Sequence, residues 1–270
     1  MRNEYQNTIF IIMENVNIKQ KVALIGAVLY TIIIGIGMYI SFHINGVFYG
    51  TAEMVNTLWY IEIVLTILTI FITVKYFSWK EVGFVKLHTK QMLWFVPSII
   101  VLGYMCFLAF SLSIENGLST EQIKLISLVG LTTLFVGFSE ELMFRGIVLH
   151  AFLKTHNKTV AVIISSISFS LLHSVNIFGG LDVYQMLMQL VLTLLFGLFF
   201  ALILLRIKSI IPLMIFHWLW DFSIIGGSVI SPANEVANFA SVNFIIEIVL
   251  VIALFIYLQV VKKNDNKVIA

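Results

Sequence analysis

The sequence predicts an all-α, polytopic membrane protein of about eight transmembrane helices, with polar residues gathered in an intramembrane cavity. Three observations predict it. Of the 270 residues, 60% are hydrophobic and only 11% charged, and the mean hydropathy is +1.02, far beyond an ordinary soluble domain. Apolar stretches of about 20 residues, enough to cross a hydrocarbon core of roughly 30 Å, recur along the chain. Lysine and arginine collect in alternate loops, the arrangement that marks the cytoplasmic side of a multi-pass protein.

Taken in order, the spans are read at 22–44, 58–77, 92–114, 125–152, 159–175, 184–205, 209–225 and 242–261. Arg2, Lys19 and Lys21 precede the first; Lys75, Lys80, Lys86 and Lys90 follow the second; Lys154 and Lys158 follow the fourth. Arg206 and Lys208 follow the sixth, and Lys262, Lys263 and Lys267 follow the eighth. The other loops carry Glu53, Glu115, Glu121, Asp182 and Glu235, with Lys124 at a helix end on that side and Arg145 inside a span. Both termini are therefore expected in the cytoplasm and the chain in the plasma membrane. The first apolar run is too long for a signal h-region and lacks a small-x-small cleavage site, so it is expected to remain as the first span. The apolar patch at residues 9–13 is expected to lie along the cytoplasmic interface.

The organisation reads as one structural domain. Residues 1–124 supply the first three spans, 125–225 the polar core of spans four to seven, and 226–270 the last span with a basic cytoplasmic tail. No repeat, linker or soluble second domain interrupts it. A single cysteine, Cys106, rules out an intramolecular disulfide and reads as a small buried apolar residue. The net charge of +2 is that of the cytoplasmic loops and offers nothing to nucleic acid; the expected partners are the lipid bilayer and a peptide or protein.

Chemistry is concentrated in three spans. Glu140, Glu141 and Arg145 lie inside an apolar stretch, where each ionised group costs roughly 2.5–3.5 kcal/mol on insertion scales. Glu141 and Arg145, four apart, share a helical face and read as a structural pair; Glu140 points about 100° away and is left free. His173 follows Phe169 by four, so ring and imidazole share a face. Ser166, Ser170 and Ser174 repeat at the same spacing, as small residues do where helices pack closely. His217 and Asp221, again four apart, let a carboxylate reach an imidazole and set its tautomer. Trp218 and Trp220 read as packing residues. Each group could instead simply lock helices together, but three polar spans are cheapest when they share one cavity, with every group well away from a helix end. A carboxylate with two histidines can activate water for attack on a peptide carbonyl, directly or through a divalent metal. His-Glu-x-x-His is absent, Gly137-Phe138-Ser139-Glu140 lacks the glycine of a serine elbow, and Asp221 is the only aspartate within a span.

In order, Glu-Glu-x-x-x-Arg, Phe-x-x-x-His and His-x-x-x-Asp resemble the CAAX protease and bacteriocin-processing (CPBP, or Abi) family of intramembrane endopeptidases, which includes type II CAAX prenyl endopeptidase. The resemblance covers about 125–222. It implies that Glu140 and His173 activate water, that His217 and the residue at Asp221 complete the site, and that Glu141, Arg145 and Phe169 support it. The prenyl endopeptidases usually carry Asn where this chain has Asp221, and an ionised carboxylate cannot donate to an oxyanion as an amide can, so Asp221 is read as the orienting partner of His217. The family is often described as metal-dependent. His173, His217 and Glu140 would be the ligands of zinc or another divalent ion, while a metal-free mechanism on the same residues is the favoured alternative. The expected activity is hydrolysis of a peptide bond in a lipidated C-terminus or in a bacteriocin or pheromone leader. Against it stand a non-catalytic role in bacteriocin immunity or sensor-kinase scaffolding, and a proton-coupled transporter.

Overall fold

The computed structural model describes the backbone of residues 2–231 and 233–269 and the side chains of 17–231 and 233–260. The patch at 9–13 and the side chains of Lys262, Lys263 and Lys267 lie outside the described side chains. Among the described residues there is no strand. The helices are α1 (Arg2–Tyr39), α2 (Val55–Tyr76), α3 (Val96–Asn116), α4 (Thr120–Glu140), α5 (Leu149–Leu153), α6 (Lys158–Leu172), α7 (Val183–Ile207), α8 (Ile211–Ile230) and α9 (Ala240–Ile269). A π-helical segment, Glu141–Val148, joins α4 to α5 as a single 34-residue span, so these nine helices make eight candidate crossings.

Local chemistry sets the helix ends. Ser119 caps α4 by accepting from Gln122 N at 3.2 Å while the Gln122 side chain accepts from Ser119 N at 3.0 Å. Asp182 and Gln185 close the same box on α7, and Asn157 caps α6 through Val160 N. Pro97 and Pro212 stand in the first turns of α3 and α8, where a missing N–H costs nothing.

The outer surface is apolar where a soluble protein's is polar, and charged groups are found inside. Ile25, Ile67, Phe107, Val191 and Ile256 are exposed on the outside, whereas Glu62, Ser139, Glu141 and Arg145 are buried within, as lipid surroundings require. Small residues bring the backbones together. A Cβ on Gly137 of α4 would stand 2.7 Å from Trp218 N of α8, and one on Gly197 of α7 would stand 3.0 Å from Ser166 Cα of α6. These two close helix pairs, α4–α8 and α6–α7, bring Glu140 opposite His217 and carry Phe169 and His173 against the same space.

Candidate active site

Glu140 is the last residue of α4, and Glu141 opens the π-helical segment. A π turn widens the backbone spiral and frees carbonyls from their usual partners, a geometry found often at functional sites. Here the carbonyls are met from outside: Ser165 Oγ donates to Phe144 O at 2.8 Å, and the His150 ring reaches Arg145 O and Gly146 O, each at 2.9 Å. Gly146 lets the segment press on the loop before α3, since a Cβ there would meet Val82 O at 3.2 Å.

The wide turn sends both carboxylates to α8. His217 Nδ1 donates to Glu141 Oε1 at 2.9 Å, and Arg145 Nη1 lies 3.1 Å from that same oxygen. Glu141 therefore does more than pair with arginine; it holds the histidine ring. Asp221, read from spacing as that ring's partner, faces the other nitrogen, with Oδ2 3.4 Å from Nε2. The ring is thus held from both sides, by Asp221 of its own helix and, at the shorter distance, by Glu141 arriving from the span of α4. Glu140 Oε2 lies 3.8 Å from the same Nε2 and, although buried, makes no hydrogen bond to a described group. The two adjacent acids thus flank opposite edges of one imidazole.

Arg145 is fully buried, with its guanidinium carbon 3.8 Å above the Phe169 ring. It is close enough to Glu141 for an ion pair, but its N–H groups are not aligned for hydrogen bonds to described acceptors, so the stacking supplies much of its directional contact. Phe169 is the hub of the site: its ring centroid lies 5.0 Å from that of His173 and 6.1 Å from that of His217. His173 stands at the C-cap of α6 rather than deep within a helix, because the chain tightens there into a 3-10 segment, His173–Gly179. Its Nδ1 donates to Phe169 O at 3.1 Å, leaving Nε2 as the free nitrogen.

Glu140, His173, His217 and Asp221 all line one cavity of about 390 Å³ inside the bundle. Glu62 of α2, absent from the residues singled out by motif and spacing, lines it too. Buried, it accepts from Ser139 Oγ at 3.3 Å, and Ser139 in turn is 2.7 Å from the Tyr30 hydroxyl. The signal was present: one acid in an otherwise apolar span is the same anomaly that exposes Glu140. Ser139 was weighed only as a nucleophile, and its partners on α1 and α2 are invisible to local spacing. The cavity wall also carries Asn176, whose Nδ2 donates to Gln189 Oε1 at 2.9 Å, while Gln189 Nε2 donates to the Tyr49 hydroxyl at 2.6 Å. A further buried acid, Glu247 of α9, accepts from Asn243 at 2.7 Å and does not line this cavity.

Glu140, His173 and His217 were the candidate metal ligands. Among the described residues, no three His, Cys, Asp or Glu side chains are grouped so as to hold a metal ion. The Nδ1 bond to Glu141 leaves His217 Nε2 as the nitrogen that would face an ion, but the neighbouring side chains as arranged do not complete a ligand set around it.

Residues 122–223 match the family model described as type II CAAX prenyl endopeptidase Rce1-like. The match contains Glu140, Glu141, Arg145, Phe169, His173, His217 and Asp221, and leaves Tyr30 and Glu62 outside. No curated protein and no solved structure matches the chain. Over residues 122–223, then, the chain is similar to the Rce1-like type II CAAX prenyl endopeptidases, and this stretch lies within a multi-pass membrane protein with eight candidate crossings.

Proposed function

We propose that the chain hydrolyses a peptide bond in a membrane-associated peptide or protein, with Glu140 as the base that activates water. The observation that carries this reading is the shared cavity: Glu140 Oε2, a carboxylate oxygen with no hydrogen bond to a described group, borders a space that two imidazoles also line. A general base must reach the proton it takes, and a buried, unengaged carboxylate beside a cavity of this size can do so.

The steps balance without a further reactant. Glu140 takes one proton from water as the water oxygen bonds to the carbonyl carbon. His173 Nε2, left free by the Nδ1 bond to Phe169 O, accepts the second hydrogen bond of that water and orients it. When His217 carries a proton on Nε2 as well as Nδ1, it donates to the developing oxyanion; Asp221 steadies that imidazolium from 3.4 Å. The C–N bond then breaks, and the proton held by Glu140 passes to the departing amine. Glu141, Arg145 and Phe169 position the ring and touch no reacting atom.

The resemblance supports a lipidated C-terminus or a bacteriocin or pheromone leader as the substrate. The test compares peptide termini in membranes of cells expressing the chain or its Glu140→Gln variant, which keeps size and removes the base. Loss of a base of this kind lowers turnover by about 10²–10⁴, so termini made by the chain should vanish with protein abundance unchanged. Termini formed equally by both would remove Glu140 from the chemistry. Full biological effect from Glu140→Gln would point instead to a partner-binding protein.

A further inference from the structure

The cavity is one-sided. Going from Glu140 back along α4, it is lined by Val136, Thr133 and Thr132; going from His217 forward along α8, by Asp221, Ile224 and Ile225. The helices are antiparallel, so both series run toward the same end of the bundle. On α2 the lining residues Glu62, Leu58 and Val55 run toward that helix's start, and the wall finishes at Tyr49 and exposed Gly50 in the loop between α1 and α2.

In the other direction the bundle is solid. Phe200, Ile203 and Ile207 of α7, Leu213 of α8 and Ile147 of the π segment are all essentially inaccessible. From Glu140 to Phe152 every residue but His150 is buried. The loop between α2 and α3 closes that end, held by Ile210 N donating to Gly83 O and His88 N donating to Ile207 O, both at 2.9 Å. Val82 in that loop is fully buried.

The two ends also differ in charge. The sealed end carries Lys19, Lys80, Lys86, Lys154, Lys158 and Arg206, whereas the loops at the open end carry Glu53, Glu115, Glu121, Asp182 and Glu235. Basic loops stay on the cytoplasmic side. We infer that the cavity opens on the extracytoplasmic face, so that the substrate is a polypeptide segment presented at the outer surface of the membrane and not a cytosolic C-terminus. Along the wall, the Asn176, Gln189 and Tyr49 side chains offer neutral donors and acceptors beside His173, a complement to an extended peptide backbone. This inference takes the substrate from the endopeptidase reading; the direction of the opening stands without it.

The test is cysteine accessibility in the full-length chain. In a Cys106→Ser background, Thr193→Cys and Ile225→Cys place single thiols on the cavity wall, and Lys80→Cys places one on an exposed basic loop. Each is treated with a membrane-impermeant maleimide in right-side-out and in inverted vesicles, and again after detergent solubilisation to show that the thiol is present and reactive. We expect Thr193→Cys and Ile225→Cys to label only in right-side-out vesicles, and Lys80→Cys only in inverted ones. Labelling of both cavity thiols from the Lys80 face, or from neither face despite reaction in detergent, would overturn the inference, as would Lys80→Cys labelling from the outside. Labelling requires no turnover, so a failure of the Glu140→Gln comparison leaves this result standing and the reverse holds too.

Discussion

Between His217 and the basic loops the helices are joined by aromatic rings: Phe95 to Phe216 at 4.9 Å, Phe200 to Phe216 at 5.6 Å and Phe95 to Phe200 at 5.9 Å. Between His217 and the α1–α2 loop the same helices part around polar walls and a cavity. Lipid tails are as apolar as leucine, so hydrophobicity alone does not hold the first half together; close packing and ring geometry do. The site sits at the boundary between the halves, with one set of neighbours fixing its side chains and the other admitting a substrate. Rigidity on one side and space on the other are what a preorganised catalytic group needs.

Arg145→Met is the most severe way to break that contrast. It leaves the buried Glu141 without its cation, a loss of about 3–5 kcal/mol when one partner of a buried pair is removed, and unfolding in detergent should show it. Paired truncations sharpen the comparison. Phe200→Ala in the solid half should cost about 2 kcal/mol, the cavity share of a buried aromatic truncation, because lipid removes the transfer share. Leu192→Ala, on the open half and 37% exposed, should shift the midpoint far less; equal shifts would mean that the halves are equally packed. Gly137→Ala tests the seam itself: its methyl would press on Trp218 N, and overpacking of this kind costs about 1–3 kcal/mol. Turnover should fall with it, because Glu140 and His217 are spaced by that contact.

The smallest effect is expected at the sealed end. Glu81 bridges Lys19 at 2.8 Å and Lys154, joining the α2–α3 loop to α1 and to the residue after α5. Burial pushes its carboxyl up, and the Lys154 and Lys19 ammoniums outweigh burial and bring it from the usual 4.5 to about 2. A carboxyl held low in the folded state stabilises fully above its unfolded value, so this contribution should be intact above pH 4.5 and fade as pH falls toward 2. Thermal midpoints followed through that window should fall less steeply for Glu81→Gln than for the unaltered chain.

How far the sequence could be read depended on where each partner came from. The spans follow from the length of the apolar runs, and Phe169 beneath His173 and Glu141 near Arg145 follow from positions four apart, where helical geometry is decisive. The same local geometry puts Asp221 beside His217, but the Glu141 bond to that ring comes from 76 residues away and leaves no trace in spacing. Spacing also misses the π turn after Glu140, which no regular period announces, and the Tyr30–Ser139–Glu62 chain across α1, α4 and α2.

By itself, the sequence determined that the chain is helical, that it is built for lipid, and which ionisable groups carry too high an insertion cost to lack a purpose. Those are properties of composition and period, and each residue expresses them without help. Only the tertiary structure decided which carboxylate holds which nitrogen, that Glu62 borders the same space, and that one end of the bundle is packed solid while the other contains a cavity. These depend on how close the backbones come at Gly137 and Gly197, and that approach is set by pairs of helices acting together.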